Sequence, residues 1–233
     1  IKIISPNHNI TKIFKTNNSI FYQVLGEGLY EIENGKSKII TNNSILQNNK
    51  IVAIYSKDEG LIIQTQLFGF YNLIGSELSK ITTKSDAQLQ SISIYSSQLL
   101  SDGSYAIGTV SNGIFILNQF GEIKYHIDQI KGLSNNTALS LFEDLDKNLW
   151  IGLDNGINCI NLQSPIKSYS DNGGILGTIY SSILFKNKLY FGTNQGLFCK
   201  NVDSSTNDFH LVNGTKGQVW SLFEYNGTLF CGH

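Results

Sequence analysis

Apolar and polar residues alternate over short stretches of this chain, and the stretches are divided by turn-forming residues. From Thr137 to Glu143 the run TALSLFE has the alternation of a half-buried strand, and Asp144 to Lys147 supply turn chemistry. Leu149 to Leu153 read as a second strand, Asp154-Asn155-Gly156 as a tight turn, Ile157 to Asn161 as a third strand and Ile166 to Tyr169 as a short fourth. A period of two, without helix-period apolar spacing, predicts almost no helix.

The same pattern is copied along the chain. IFYQVLGEGLYEI from Ile20, LIIQTQLFGFYNL from Leu61, YAIGTVSNGIFIL from Tyr105, LWIGLDNGINCI from Leu149 and LYFGTNQGLFCK from Leu189 lie over one another, and LFCGH from Leu229 starts a sixth copy. Gly108, Gly152, Gly192 and Gly232 occupy one column, which Gln23 and Gln64 extend backwards. Gly28, Gly69, Gly113, Gly156 and Gly196 occupy a second. A repeat of about 42 residues is the signature of a β-propeller blade. The expected fold is therefore all-β, a propeller region over residues 1–233 built of four-stranded antiparallel blades, five complete and a sixth truncated. First strands are expected near Ile10, Ile51, Leu89, Thr137, Thr178 and Val219. The strand glycine lets a neighbouring sheet approach, and the turn glycine tolerates φ > 0. Beside the first column stand Phe21, Ile62, Ala106, Trp150, Tyr190 and Phe230, expected to be buried between blades. Asn9, Asn49, Gln90, Asn136, Thr178 and Gln218 sit at the first-strand starts and predict a polar, neutral channel mouth, suited to water or uncharged polyhydroxy ligands.

Composition narrows the partners. Of 233 residues 41% are apolar, enough for a core, and only 15% are charged. The 17 basic and 18 acidic residues form no basic cluster, so this segment is not expected to bind nucleic acid. No apolar stretch approaches the ~18 residues of a membrane span, and IKIISPNHNI lacks the pattern of a signal peptide. A start without Met and an end in mid-repeat predict a fragment of a larger ring of roughly seven blades. Any export signal, membrane span or output domain is then expected outside it. The three cysteines form no metal motif; Cys159 and Cys199 hold equivalent places in consecutive repeats and read as buried free thiols.

Candidate chemistry is that of a binding surface. No nucleophile elbow, HExxH pair or Walker loop is present, Glu143 and Asp144 point apart on a strand end, and the four histidines are scattered. Asp144-Leu145-Asp146-Lys147-Asn148 starts like a calcium loop, but Leu149 and Asn155 stand where the turn Gly and bidentate Glu belong, so it reads as a hairpin turn. No catalytic residue, metal site or cofactor is assigned. The loops GLSNN from Gly132, GGILG from Gly173 and GTKGQ from Gly214 share a glycine-bearing polar design. Tyr180 and Trp220 each lie ten residues before the matching Tyr190 and Phe230. Aromatic faces stack on sugar carbons while amides meet hydroxyls, which makes Asn136, Tyr180, Gln218 and Trp220 the candidate ligand-binding residues. The alternative is that both rings plug the inner core of their blades.

The run GLSNNTALSLFEDLDKNLWIGLDNGINCI from Gly132 resembles the two-component-regulator propeller repeat, whose pattern is a GLxxN start, an apolar strand, an acidic turn, NLWIGT and a glycine hairpin. LYFGTNQGLF from Leu189 and AIGTVSNGIFIL from Ala106 follow it, with Leu153 in place of the usual Thr and Gln23 and Gln64 in place of the strand glycine. GQVWSLFEYNGTLFCGH from Gly217 is similar to propellers of the LuxR-type helix-turn-helix branch. The resemblance implies a bacterial sensor in which a periplasmic propeller precedes a three-tyrosine β-sandwich, a membrane helix and a histidine kinase or helix-turn-helix output domain. What it implies here is a non-enzymatic, extracytoplasmic sensory region that binds a glycan or protein signal, meets the membrane only through segments outside this chain, and relays through domain or homodimer rearrangement. An interaction scaffold without a small ligand is the first alternative, and a propeller lyase or hydrolase the second.

Overall fold

The computed structural model describes residues 10–16, 19–57, 60–67, 69–164, 173–202 and 209–233. Contacts divide the chain into two compact units, residues 1–164 and 165–233. In the first unit, β1 (Ile10–Thr16), β2 (Ser19–Val24), β3 (Gly28–Glu33) and β4 (Lys36–Thr41) form an antiparallel sheet in chain order. A short helix α1 (Ser44–Asn48) leads to the second sheet, β5 (Ile51–Lys57), β6 (Gly60–Thr65), β7 (Gly69–Ile74) and β8 (Glu77–Ile81). Helix α2 (Asp86–Leu89) leads to the third, β9 (Ile94–Leu99), β10 (Tyr105–Thr109), β11 (Ile114–Leu117) and β12 (Ile123–Ile127). After one 3₁₀ turn, Gln129–Lys131, come β13 (Ala138–Glu143), β14 (Asn148–Leu153) and β15 (Ile157–Asn161).

The second unit repeats the plan with β16 (Ile179–Phe185), β17 (Lys188–Thr193), β18 (Leu197–Asn201) and β19 (His210–Leu211). The hairpin β20 (Ser221–Tyr225) and β21 (Thr228–Gly232) follows. The protein is thus all-β, with successive antiparallel sheets of the propeller-blade kind. Asn9 and the fourth strand expected at Ile166 to Tyr169 lie outside the described residues.

Within the first unit the first strands β1, β5, β9 and β13 are neighbours in order, and within the second β16 neighbours β20. Three apolar layers fill the first unit. Phe14, Phe21, Leu29, Leu46, Ile54 and Ile63 join the first and second sheets. Val52, Ile62, Phe70, Leu89, Ile107 and Phe115 join the second and third, and Ala106, Ile114, Ile116, Ala138, Leu149 and Ile151 the third and fourth. In the second unit Leu176, Phe191 and Phe198 make the corresponding cluster. Each fully buried Leu or Ile contributes about 2 kcal/mol to such layers.

The glycine columns do what close approach requires. A Cβ on Gly108 would strike Ser96 Oγ and come within 2.8 Å of Ala138 O and 2.9 Å of Ala138 Cβ, the opening residue of the next sheet. Gly113, at φ 69°, would drive a side chain into Ile127 O.

Three expectations are corrected. Leu89 does not open a first strand: it closes α2 with its side chain fully buried, and the strand starts at Ile94. Thr83 N and Oγ1 both donate to Asp86 Oδ1, at 3.3 and 2.5 Å, and this clasp turns the chain before the strand can begin. Neither Trp150 nor Phe230 is buried between sheets, Phe230 being 42% exposed, and Tyr190 is only half-buried. Leu149, Ile151 and Leu153 take the core-facing side of β14, which leaves the indole on the opposite face and 44% exposed. Its Nε1–H donates to Asp144 Oδ2 at 2.7 Å, which pins the turn and holds that carboxyl below the usual range. The cysteines are not buried thiols either, since Cys159 is exposed and Cys199 and Cys231 are half-buried.

Candidate functional site

The candidate site grows from an irregularity that β1, β5, β9, β13 and β16 share. In β16, Ile179 pairs with Thr193 and Ser181 with Gly192, so Tyr180 is an extra residue with no partner across the ladder. The same slip leaves Thr11, Val52, Tyr95 and Leu139 as extras in β1, β5, β9 and β13. Trp220 holds this place before β20: its N–H donates to Gly232 O at 2.9 Å, and the next residue, Ser221, pairs with Gly232. A β-bulge bends a strand and re-aims one side chain, and bulges cluster near binding sites. The bulge is the feature that sequence reading missed. Its only signal is positional: each of these residues stands directly before the one facing the glycine or glutamine column.

In the second unit the bulge position carries two aromatic rings. Tyr180 is 38% and Trp220 54% exposed, and the rings stack on one another with centroids 4.4 Å apart and an interplanar angle of 25°. The reading of these rings as core plugs is therefore set aside; the core of this unit is Leu176, Phe191 and Phe198. Behind the pair, Val219 is fully buried and its N–H donates to Thr193 O at 2.8 Å, which anchors Trp220 from its N-terminal side. On Tyr180's side, Thr178 N donates to Asn194 Oδ1 at 2.9 Å, and Asn194 N donates back to Thr178 O at 3.1 Å.

The flanking loops are almost free of charge. Residues 173–178 and 194–196 carry none, and residues 212–218 carry only Lys216. Gln218, two residues before Trp220, is exposed. His233 Nε2 lies 3.0 Å from Lys216 O, and its ring fills the space against Gly217. The second unit therefore offers an aromatic platform edged by amides, hydroxyls and one ammonium.

Of the four residues expected to bind ligand, Tyr180 and Trp220 are brought into contact, and Gln218 is in the same loop as Trp220. Asn136 belongs to the first unit and has a structural task there. Its carbonyl accepts Gly113 N–H at 2.8 Å and its Oδ1 accepts Gln129 N–H at 2.8 Å, tying the connection after β12 to the turn after β10. Among the described residues no three His, Cys, Asp or Glu side chains gather as metal ligands would, and no helix is long and apolar enough to cross a membrane.

No protein-family model matches the chain, and no curated protein matches its sequence. Solved structures do match its fold. One is the extracellular domain of a protein described as a hybrid two-component system of B. thetaiotaomicron, at 19% identity and TM-score 0.51, with 92% of this chain and 31% of that one covered. Another is the extracellular domain of a protein described as a one-component system of the same organism, at 21% identity and TM-score 0.51, with 97% and 33% covered. This chain thus spans about a third of the length of either structure, and the likeness at such identity is one of fold.

Proposed function

We propose that this chain is a non-enzymatic sensory propeller region that works outside the cytoplasm, binds a neutral glycan signal at Tyr180 and Trp220, and biases an output domain carried elsewhere in the same protein. The observation that carries the reading is the exposed, stacked ring pair on the β16 bulge and directly before β20, among loops that are nearly charge-free. Ring faces of this kind attract the C–H faces of a pyranose, while amides such as Gln218 meet hydroxyls. A phosphorylated or anionic ligand would want a denser set of cations than Lys216 alone. The fold it shares with extracellular domains of bacterial signalling proteins supports the extracytoplasmic assignment. Signal transfer then follows from differential affinity of the ligand for two arrangements of the full-length protein.

The test is a thermal-shift screen against neutral oligosaccharides, with the double variant Tyr180→Ala/Trp220→Ala beside it. A ligand at a hundred times its Kd stabilises by about 2.7 kcal/mol, which for a chain of this size raises Tm by roughly 5–10 °C. The double variant is expected to lose the shift and keep a β-type circular-dichroism spectrum. If no sugar moves Tm, the platform is not a glycan site and the scaffold reading replaces this one.

A further inference from the structure

The third sheet repeats the arrangement of the second unit at Tyr95. Ile94 pairs with Thr109 and Ser96 with Gly108, which leaves Tyr95 as the bulged residue of β9, in the same relation to Ser96 that Tyr180 has to Ser181 and Trp220 to Ser221. Its ring is 51% exposed. Among the described residues it has no ring contact and its hydroxyl has no hydrogen bond, whereas Tyr22, Tyr30, Tyr55 and Tyr105 are all stacked or bonded. Val52 fills the same place in β5 and is buried.

The residues bonded to the segment before Tyr95 carry no charge, as residues 173–178 before Tyr180 carry none. Ser93, two residues before Tyr95, bridges to Leu67, accepts Val110 N–H at 3.0 Å, and its Oγ accepts from Gln66 Nε2 at 3.1 Å. Thr137 Oγ1 donates to Val110 O at 2.7 Å from the next sheet. Isolated exposed apolar side chains, Leu67 and Val110, thus alternate with the amides of Gln66 and Asn112 and the hydroxyls of Ser93 and Ser111, and none of these positions is charged.

We propose that Tyr95 makes a second sugar contact, within the first unit, stacking its ring on the apolar face of a neutral saccharide unit. The assignment rests on the glycan reading of the preceding section. It extends that reading to a residue of the first unit, and it makes the bulged residue of the first strand the position at which this repeat displays its ligand contacts. Where that residue is small or aliphatic, as Val52 is, the sheet only packs.

Isothermal titration of the intact chain with malto-, cello-, xylo- and mannohexaose tests this. For a sugar that binds, wild type is expected to show two binding events, Tyr95→Ala to lose the one in the first unit, and Tyr95→Phe, which keeps the ring, to retain both within about twofold in affinity, all at unchanged Tm. If Tyr95→Ala binds like wild type while Trp220→Ala loses binding, the glycan reading stands and the role of Tyr95 falls. A drop in Tm for Tyr95→Ala as large as that of a core truncation makes the ring structural and also overturns the proposal. If wild type binds none of the four sugars, both readings fall together.

Discussion

The seam between the first and second sheets is closed by a carboxamide, whereas the seam between the third and fourth is closed by a hydroxyl and the absence of a side chain. In the first, Gln23 is fully buried; its Nε2 donates to Leu46 O at 2.6 Å and Asn49 O at 2.7 Å, and its Oε1 accepts Ile51 N–H at 2.8 Å. Lys12 Nζ adds a bond to Val52 O at 2.9 Å, and burial lowers its pKa. In the second, Gly108 makes room for Ser96 Oγ, which donates to Ala138 O at 2.8 Å. Both devices hold the opening of the next first strand. A long amide reaches three backbone groups by itself, while a serine needs the facing glycine so that the sheets can close on it. A single column can therefore change residue type completely and still do one job.

The largest break in the comparison is expected at Gly108. An added methyl group meets backbone and Cβ of Ala138, neither of which can swing aside, so Gly108→Ala should cost about 3 kcal/mol, roughly 6–12 °C in Tm. Gly152 occupies the same column, but there a Cβ meets only the side chain of Ser140 at close range. Gly152→Ala should cost under about 1 kcal/mol. Equal losses in urea unfolding would show that the column acts through the strand itself rather than through the seam.

Next in size is the pair of glutamines. Gln23→Leu leaves two carbonyls and one N–H at the first seam without their partner and should cost about 2 kcal/mol. Gln64 stands in the same column and is as deeply buried, yet neither of its amide atoms has a hydrogen-bond partner among the described residues. Gln64→Leu keeps the volume and removes that penalty, so it should stabilise by about 1 kcal/mol. Opposite signs in equilibrium unfolding are the expected outcome. A loss at both positions would mean that the amide of Gln64 is satisfied and that the two seams are alike.

Repetition is what made the fold legible. Each copy writes its strands, its hairpin and its two special columns afresh, so β14 and β15 fall within a residue of where alternation places them. The strand start differs from Leu89 because the alternation begins only with Ser91-Ile92-Ser93-Ile94, two residues later, while the Thr83-to-Asp86 spacing that signals a helix start is a quieter pattern. Burial of Trp150 was not legible for another reason. Phe21, Ile62 and Ala106 are buried in the same column, but whether a sheet covers that face is not written in the strand that carries it. At the candidate site, the aromatic identity and matched spacing of Tyr180 and Trp220 were in the sequence. The bulge that turns them outward was not, because it is a property of the pairing between two strands and appears in neither alone.

The smallest effect isolates the hydroxyl at the third seam. Ser96→Ala removes one buried bond to a backbone carbonyl and should cost about 1 kcal/mol, seen as a lower urea midpoint at unchanged slope. Ser140 is exposed and its hydroxyl has no partner among the described residues, so Ser140→Ala should leave the midpoint unmoved. Combining each with its glycine separates space from bonding. Removing Ser140 Oγ clears the one close obstacle to a methyl at position 152, so Ser140→Ala/Gly152→Ala should be nearly as stable as wild type. Removing Ser96 Oγ still leaves Ala138 O and Cβ in the way at position 108. Ser96→Ala/Gly108→Ala should therefore recover less than half of the loss of Gly108→Ala. Full recovery there would show that the hydroxyl, and not the backbone of the next sheet, sets how closely the two sheets approach.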